Sequence, residues 1–400
     1  MRLSAIFPLV LTGLLLCGDA AIAQLRNRAA SAKGTAPRAS KASKTTTRAK
    51  APAKKKLVRA RPAPPVDPTI GDNVDGDDLV VRRAAVAALG TMNGSVVVAD
   101  PSNGRILTIV NQKLAYRSGF VPCSTIKLVT SLAALSDRVV DPAAHIRISR
   151  YASFDMTMAL AKSNNPYFAT LGNRLGFDRV IHYAHMLGLG ETAGLDIPGE
   201  KAGEVPAAPP KWGGVGMMTS FGEGFFMTPL ELAGLLSAIS NGGTLYYLQY
   251  PRSEAEIGSF APRVKRELEL APNGISDIKS GMRGAVDYGT ARRASSESEQ
   301  IFGKTGTCTD FRSTNHMGWF GSFNEGPRPV VVVVMLTGTK TVNGPVASGV
   351  AGAIYRSLSQ QQYFASISPS QKTARMPEIP VSQPCCQTNE SSQALSTDIK

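Results

Sequence analysis

Histidine is scarce in this sequence, with four residues in 400. His145, His182, His185 and His316 do not fall at the spacing of a metal site, so neither a metal nor another cofactor is expected. Tryptophan is rarer still, and Trp212 and Trp319 read as packing aromatics, although Trp212 lies in a Pro- and Gly-rich loop that could border a cleft. Long apolar runs are missing after the first seventeen residues, and the Val-rich block from Pro329 to Leu336 is only strand-sized, which excludes a second membrane span. Acidic residues are absent from Gln24 to Val66, where thirteen Lys or Arg accumulate. Without that stretch, Arg2 and Asp19, thirty basic residues face twenty-nine acidic ones, so the formal charge of +14 belongs to one segment. The remainder is nearly neutral, and nucleic acid is excluded as an expected partner.

What is present divides the chain into four parts. Met1-Arg2, the apolar run from Leu3 to Cys17 and Ala21-Ile22-Ala23 before Gln24 form a signal-peptide pattern over residues 1–23. The run is short and interrupted by Pro8; cleavage is expected, with an uncleaved N-terminal anchor as the alternative. Leu16 is too bulky to favour lipidation at Cys17. Residues 24–76, rich in Ala, Lys, Thr and Pro, read as a disordered basic tether that either contacts anionic cell-wall polymers or a membrane surface or simply gives reach. Residues 77–365 carry the periodic apolar pattern of one folded domain, and the Ser-, Gln- and Pro-rich segment 366–400 reads as a disordered tail.

Within the domain, Leu79 to Leu89 suits a helix, and Gly94 to Asp100 and Arg105 to Asn111 read as strands around the Pro101-Ser102-Asn103-Gly104 turn. Helical patterns dominate from Ser124 to about Leu187, and Thr228-Pro229-Leu230-Glu231 is a capping box with Pro at the first helical position. After Ile301 the chain is strand-rich until a final helix from about Val346 to Tyr363. The expected fold is therefore α/β (α+β): an antiparallel sheet built from both ends of the domain, covered by the N- and C-terminal helices, with an inserted all-helical lobe on the other side. A cleft is expected where sheet and insert meet.

Three motifs occur in order: Ser124-Thr125-Ile126-Lys127, Ser163-Asn164-Asn165 and Lys304-Thr305-Gly306-Thr307. A spacing of three on a helix puts the Ser124 hydroxyl within reach of the Lys127 amine, which can take its proton once burial or Lys304 depresses the amine's pKa. A helix N-terminus also presents N–H groups to a developing oxyanion. Ser163 is expected after the helix around Phe154 to Lys162, passing a proton to a leaving amine, and Asn165 bonding a substrate amide. The glycine of the third motif suits a strand edge along which a substrate backbone lies, with Lys304, Thr305 and Thr307 holding its carboxylate. Singly the motifs are weak: Ser276-Asp277-Ile278-Lys279, Lys279-Ser280-Gly281, Ser313-Thr314-Asn315 and Ser322-Phe323-Asn324 copy them by accident. Only the set beginning at Ser124 has the right order.

With these motifs, and with Val96-Val97-Val98-Ala99-Asp100-Pro101, Gly194-Leu195-Asp196-Ile197-Pro198-Gly199-Glu200 and Gly289-Thr290-Ala291 as further landmarks, residues 80 to 365 resemble the transpeptidase domain of penicillin-binding proteins. The resemblance implies a β-lactamase/transpeptidase-like fold. It also implies a DD-transpeptidase or DD-carboxypeptidase that acts on peptidoglycan stem peptides and binds β-lactams, in the periplasm or cell envelope. Larger members of that family carry a separate N-terminal domain where this sequence has a signal and tether, so glycan polymerisation is not expected. Related class A carbapenemases join cysteines matching Cys123 and Cys308, which implies a disulfide here; Cys385 and Cys386 lie in the tail. A serine β-lactamase, or a non-enzymatic wall-binding or β-lactam-sensing module, remains an alternative.

Overall fold

The computed structural model describes residues 67–310 and 312–365. The signal peptide, nearly all of the basic tether and the C-terminal tail lie outside the described residues.

In chain order the elements begin with helix α1 (Leu79–Leu89), strands β1 (Gly94–Ala99) and β2 (Ile106–Val110), and a short α2 (Gln112–Ala115). A 3₁₀ turn (Cys123–Ile126) runs into α3 (Lys127–Ser136), followed by the two-residue strands β3 (Ile146–Arg147) and β4 (Ser153–Phe154). Helices α4 (Met156–Lys162), α5 (Asn165–Leu175), α6 (Phe177–Met186), α7 (Gly214–Phe221) and α8 (Pro229–Asn241) come next. Strand β5 (Thr244–Tyr246), α9 (Glu254–Gly258), β6 (Val264–Glu267) and α10 (Gly274–Asp287) complete the insert. The chain then returns through β7 (Gln300–Thr309), β8 (His316–Glu325), β9 (Val331–Gly338) and α11 (Gly344–Gln360).

The main sheet is antiparallel throughout, in the order β2-β1-β9-β8-β7. It joins strands from both ends of the domain, as expected. All seven residues from Val331 to Thr337 and their flanking Val330 are buried or nearly so, because β9 lies in the middle with apolar layers on both faces. On one face Val96, Val98, Val332 and Val334 meet α1 and α11. On the other, Val97, Val333, Met335 and Trp319 meet α8 and the helical insert.

Local signals explain several boundaries. The Asp78 carboxylate accepts from the Val80 and Val81 N–H groups and starts α1. The Thr228 and Glu231 side chains bond each other's backbone N–H, and Pro229 occupies the first turn of α8. The insert departs from an all-helical lobe in one respect. It carries two small antiparallel pairs, β3 with β4 and β5 with β6, too short to show in an apolar alternation.

The tether boundary also moves. Residues 67–76, assigned above to the tether, pack onto the domain: Asp72 accepts from Arg82 Nη2 at 2.9 Å and from the backbone N–H groups of Asn111 and Gln112 at 3.0 and 2.8 Å. Asp77 pairs with the same guanidinium. These partners are distant in sequence, so no local periodicity announces them.

Candidate active site

Ser124 stands at the start of the helical segment that runs through the 3₁₀ turn into the buried α3. Here the structure modifies the expectation of an α-helical pair. In a 3₁₀ turn residues three apart eclipse one another, and Lys127 Nζ comes 2.8 Å from Ser124 Oγ. Cys123, immediately before, has φ near 52°, a left-handed backbone unusual for a residue with a side chain. Its sulfur is bonded to that of Cys308 on β7, with the two Cα atoms 5.5 Å apart. The 3₁₀ turn is thereby tied to the strand that carries the third motif.

Helix α4 starts on Asp155, whose side chain caps Met158 N, and ends on Ser163, itself left-handed at φ near 54°. That turn points both the carbonyl and the hydroxyl of Ser163 at Lys127, at 2.9 and 3.1 Å. Asn164 then caps α5 through Tyr167 N, and Asn165 opens that helix with Oδ1 2.5 Å from Lys127 Nζ.

The Lys127 amine is fully buried, and burial, followed by the positive charge of Lys304, lowers its pKa to about 5. Its partners agree with the neutral form. The Ser163 carbonyl and Asn165 Oδ1 can only accept, which uses the two N–H bonds of a neutral amine and leaves its lone pair facing the hydroxyls of Ser124 and Ser163, of which Ser124 is the nearer.

Lys304 lies on β7, the edge strand of the sheet, and is also fully buried. Its Nζ donates to Ser163 Oγ at 2.8 Å and to the Thr305 carbonyl at 3.0 Å, while burial lowers its pKa to about 7. The Ser163 hydroxyl thus bridges two lysines. Two of the three N–H donors of a charged Lys304 are thus directed at Ser163 and its own strand, which leaves one for a substrate carboxylate. Thr305 is nearly buried and Thr307 exposed; the Thr307 hydroxyl accepts from Gly344 N at 2.8 Å and fixes the start of α11 against the motif.

Gly306 is required by crowding. A Cβ there would stand 2.9 Å from the Pro122 carbonyl oxygen, 3.1 Å from Trp319 Cβ and 3.3 Å from Cys123 Cβ. Trp319, paired with Gly306 across β7 and β8, is buried and donates from Nε1 to the Val121 carbonyl, holding the segment before the nucleophile. Trp212, by contrast, is 84% exposed.

All eight residues read from the three motifs therefore belong to two helix starts, one helix end and one strand that meet. The look-alikes do not. Ser276 bonds the Asn273 carbonyl within α10, Lys279 pairs with Glu325, and Ser322 is buried in β8 against the Val332 carbonyl. Among the described residues no group of His, Cys, Asp or Glu is arranged to hold a metal ion, and no helix is long and apolar enough to cross a membrane. The sequence reading missed Thr290, whose Oγ1 lies 2.6 Å from Thr305 Oγ1; its place in Gly289-Thr290-Ala291 was the available signal.

Comparison with known proteins agrees with this geometry. Residues 94–360 match the penicillin binding protein transpeptidase domain. Stage V sporulation protein D of Bacillus subtilis is 27% identical over 315 residues, covering 66% of this chain and 49% of that protein. Peptidoglycan D,D-transpeptidase MrdA of Acinetobacter baumannii is 24% identical, covering 60% of this chain and 45% of that protein. The chain thus spans about half the length of these relatives. The apo transpeptidase domain of penicillin-binding protein 3 from Burkholderia pseudomallei superposes with a TM-score of 0.61 at 20% identity, covering 74% of this chain and 98% of that one. Pseudomonas aeruginosa PBP2, solved in complex with WCK 5153, gives 0.60 at 22% identity and covers 72% of this chain and 78% of that one. The match across 94–360, the antiparallel sheet and the meeting of the three motifs lead to one assignment: this chain belongs to the penicillin-binding protein transpeptidase family.

Proposed function

We propose that the protein is an exported cell-envelope DD-transpeptidase or DD-carboxypeptidase, acylated on Ser124 by D-Ala-D-Ala-terminated peptidoglycan stem peptides and by β-lactams. The observation that carries this reading is the buried Lys127 amine, 2.8 Å from Ser124 Oγ, with two obligatory acceptors on its other side. The lone pair of Lys127 takes the hydroxyl proton as Oγ attacks the penultimate D-Ala carbonyl. The N–H groups at the head of the helical segment face the developing oxyanion. As the peptide bond breaks, the Ser163 hydroxyl gives its proton to the departing D-Ala nitrogen and is reprotonated by Lys127, which returns the proton it took from Ser124. A second amine or a water then takes the acyl group and restores Ser124.

Substrate binding falls to the remaining motif residues. Asn165, its oxygen engaged by Lys127, offers its amide N–H to a substrate carbonyl. The terminal carboxylate is held by Thr305, Thr307 and the charge of Lys304. The basic segment 24–66 is read as the part that reaches anionic wall polymers or a membrane surface.

The Cys123–Cys308 bond favours one second reading, a serine β-lactamase, because class A carbapenemases carry cysteines at matching places. A fluorescent penicillin separates the readings. Stoichiometric label that is released slowly and is lost in Ser124→Ala supports the transpeptidase type; rapid multiple turnover selects the β-lactamase. Absence of label from the wild-type protein overturns both and leaves a wall-binding module.

A further inference from the structure

Residues 288–290 join the second motif to the third. Gly289 presses on the end of α4, where a Cβ would stand 2.1 Å from the Ala161 carbonyl oxygen. The Thr290 N–H donates to that same oxygen at 3.2 Å. Next to it, Lys162 Nζ donates to the Tyr288 carbonyl at 2.9 Å and lies 5.3 Å from the centre of the Tyr288 ring. The last residues of α4 before Ser163 are thus clamped to this segment. From the same segment the Thr290 hydroxyl reaches Thr305 Oγ1 at 2.6 Å.

Two hydroxyls at that distance share one hydrogen bond, and only one of the two protons lies between them. If Thr305 donates to Thr290, its proton is spent and its oxygen turns a lone pair towards an arriving anion. If Thr290 donates, the Thr305 proton is released to point outward. A carboxylate, which only accepts, selects the second arrangement.

We infer that Thr290 is a positioning residue for carboxylate recognition: its hydroxyl donates to Thr305 Oγ1 and so turns the Thr305 proton towards the substrate's terminal carboxylate. The inference rests on the acyl-serine reading of the site and adds a residue outside its three motifs. Because residues 288–290 also grip α4, the same segment fixes the carboxylate subsite relative to Ser163. Thr290 touches neither substrate nor nucleophile and acts through Thr305.

The test compares acylation of the full chain by benzylpenicillin and by its methyl ester, which lacks the anionic acceptor. Thr290→Val is expected to lower the second-order acylation constant for the acid about tenfold, the scale of one hydrogen bond to a charged group. The constant for the ester stays within about twofold, and Thr290→Ser restores the acid. In a Thr305→Val background the Thr290→Val change adds nothing, the mark of two residues acting as one unit. Equal losses on acid and ester, or no loss on the acid, overturn the inference and reduce Thr290 to scaffold. Should Thr290→Val fail to fold, Thr290→Ala read against the same two ligands carries the same contrast. A wild-type protein that neither ligand acylates overturns the acyl-serine reading itself, and Thr290's part falls with it, a pattern distinct from a variant-only result.

Discussion

Two Ser-x-x-Lys tetrads stand on helical segments of this protein and have different surroundings. Ser124 and Lys127 open a helical segment whose lysine is fully buried, without a carboxylate partner among its hydrogen bonds, and faces Ser163 and Asn165. Ser276 and Lys279 lie on α10, where the lysine remains partly solvated, pairs with Glu325 at 2.9 Å and lies 5.5 Å from the centre of the Phe323 ring. Spacing is the same; what differs is desolvation and the nature of the partners. Burial among neutral acceptors near a second lysine is what lets Lys127 lose its proton readily.

Exchanging each residue for an inert one is the direct way to break this comparison. Ser124→Ala is expected to abolish covalent labelling by penicillin, while Ser276→Ala labels at the wild-type rate; gel fluorescence reads both. Lys127→Met should lower the acylation constant by roughly 10²–10⁴, the usual worth of a positioned base, and Lys279→Met should change it less than about twofold. The disulfide sharpens the contrast further, since only the first tetrad is tied to β7. Replacing Cys123 and Cys308 by Ser is expected to cost about 2–5 kcal/mol of unfolding free energy, measured by denaturant titration under non-reducing conditions.

Acidity supplies the fourth contrast. Lys127 is depressed to about 5 by burial and Lys304, so it is neutral above that pH and charged below it. Acylation should therefore fall about tenfold per pH unit below 5, and labelling at pH 4 compared with pH 6 checks this. A second, basic limb near 7 is expected as Lys304 gives up its charge, the two limbs belonging to the coupled pair. The smallest effect is on stability at the second tetrad: Lys279→Met removes a partly exposed ion pair worth about 0–1 kcal/mol, a shift at the edge of detection in thermal melting.

Much of the architecture was legible because it is locally encoded. The capping box of Thr228 and Glu231, the turn at Pro101 and the residues of each of the three motifs announce themselves within a few residues. Other parts depend on contacts that only the folded chain supplies. Helix α10 went unrecognised since Gly274, Gly281 and Gly284 give it a poor propensity. Those glycines are there for packing: a Cβ on Gly281 would stand 2.5 Å from Leu160 Cβ, and one on Gly284 would stand 3.1 Å from Ala161 Cβ. The 3₁₀ form of the nucleophile's turn was hidden for a similar reason: it starts at the left-handed Cys123, whose bonded partner Cys308 lies 185 residues away. Thr290 was visible as part of a short landmark, but its partner Thr305 is fifteen residues away, and nothing in the spacing indicates that their hydroxyls meet.

The strand order has a biosynthetic corollary. β9, the last sheet strand to be made, takes the middle place between β1 and β8, so a nascent chain that ends before Val331 holds two half-sheets with nothing to join them. β1 must wait for more than two hundred residues before its inner neighbour exists, and such distant pairing is slow to form. The tertiary lock that brings Lys304 to Ser163 is therefore expected to close late, once β9 has joined the two halves of the sheet.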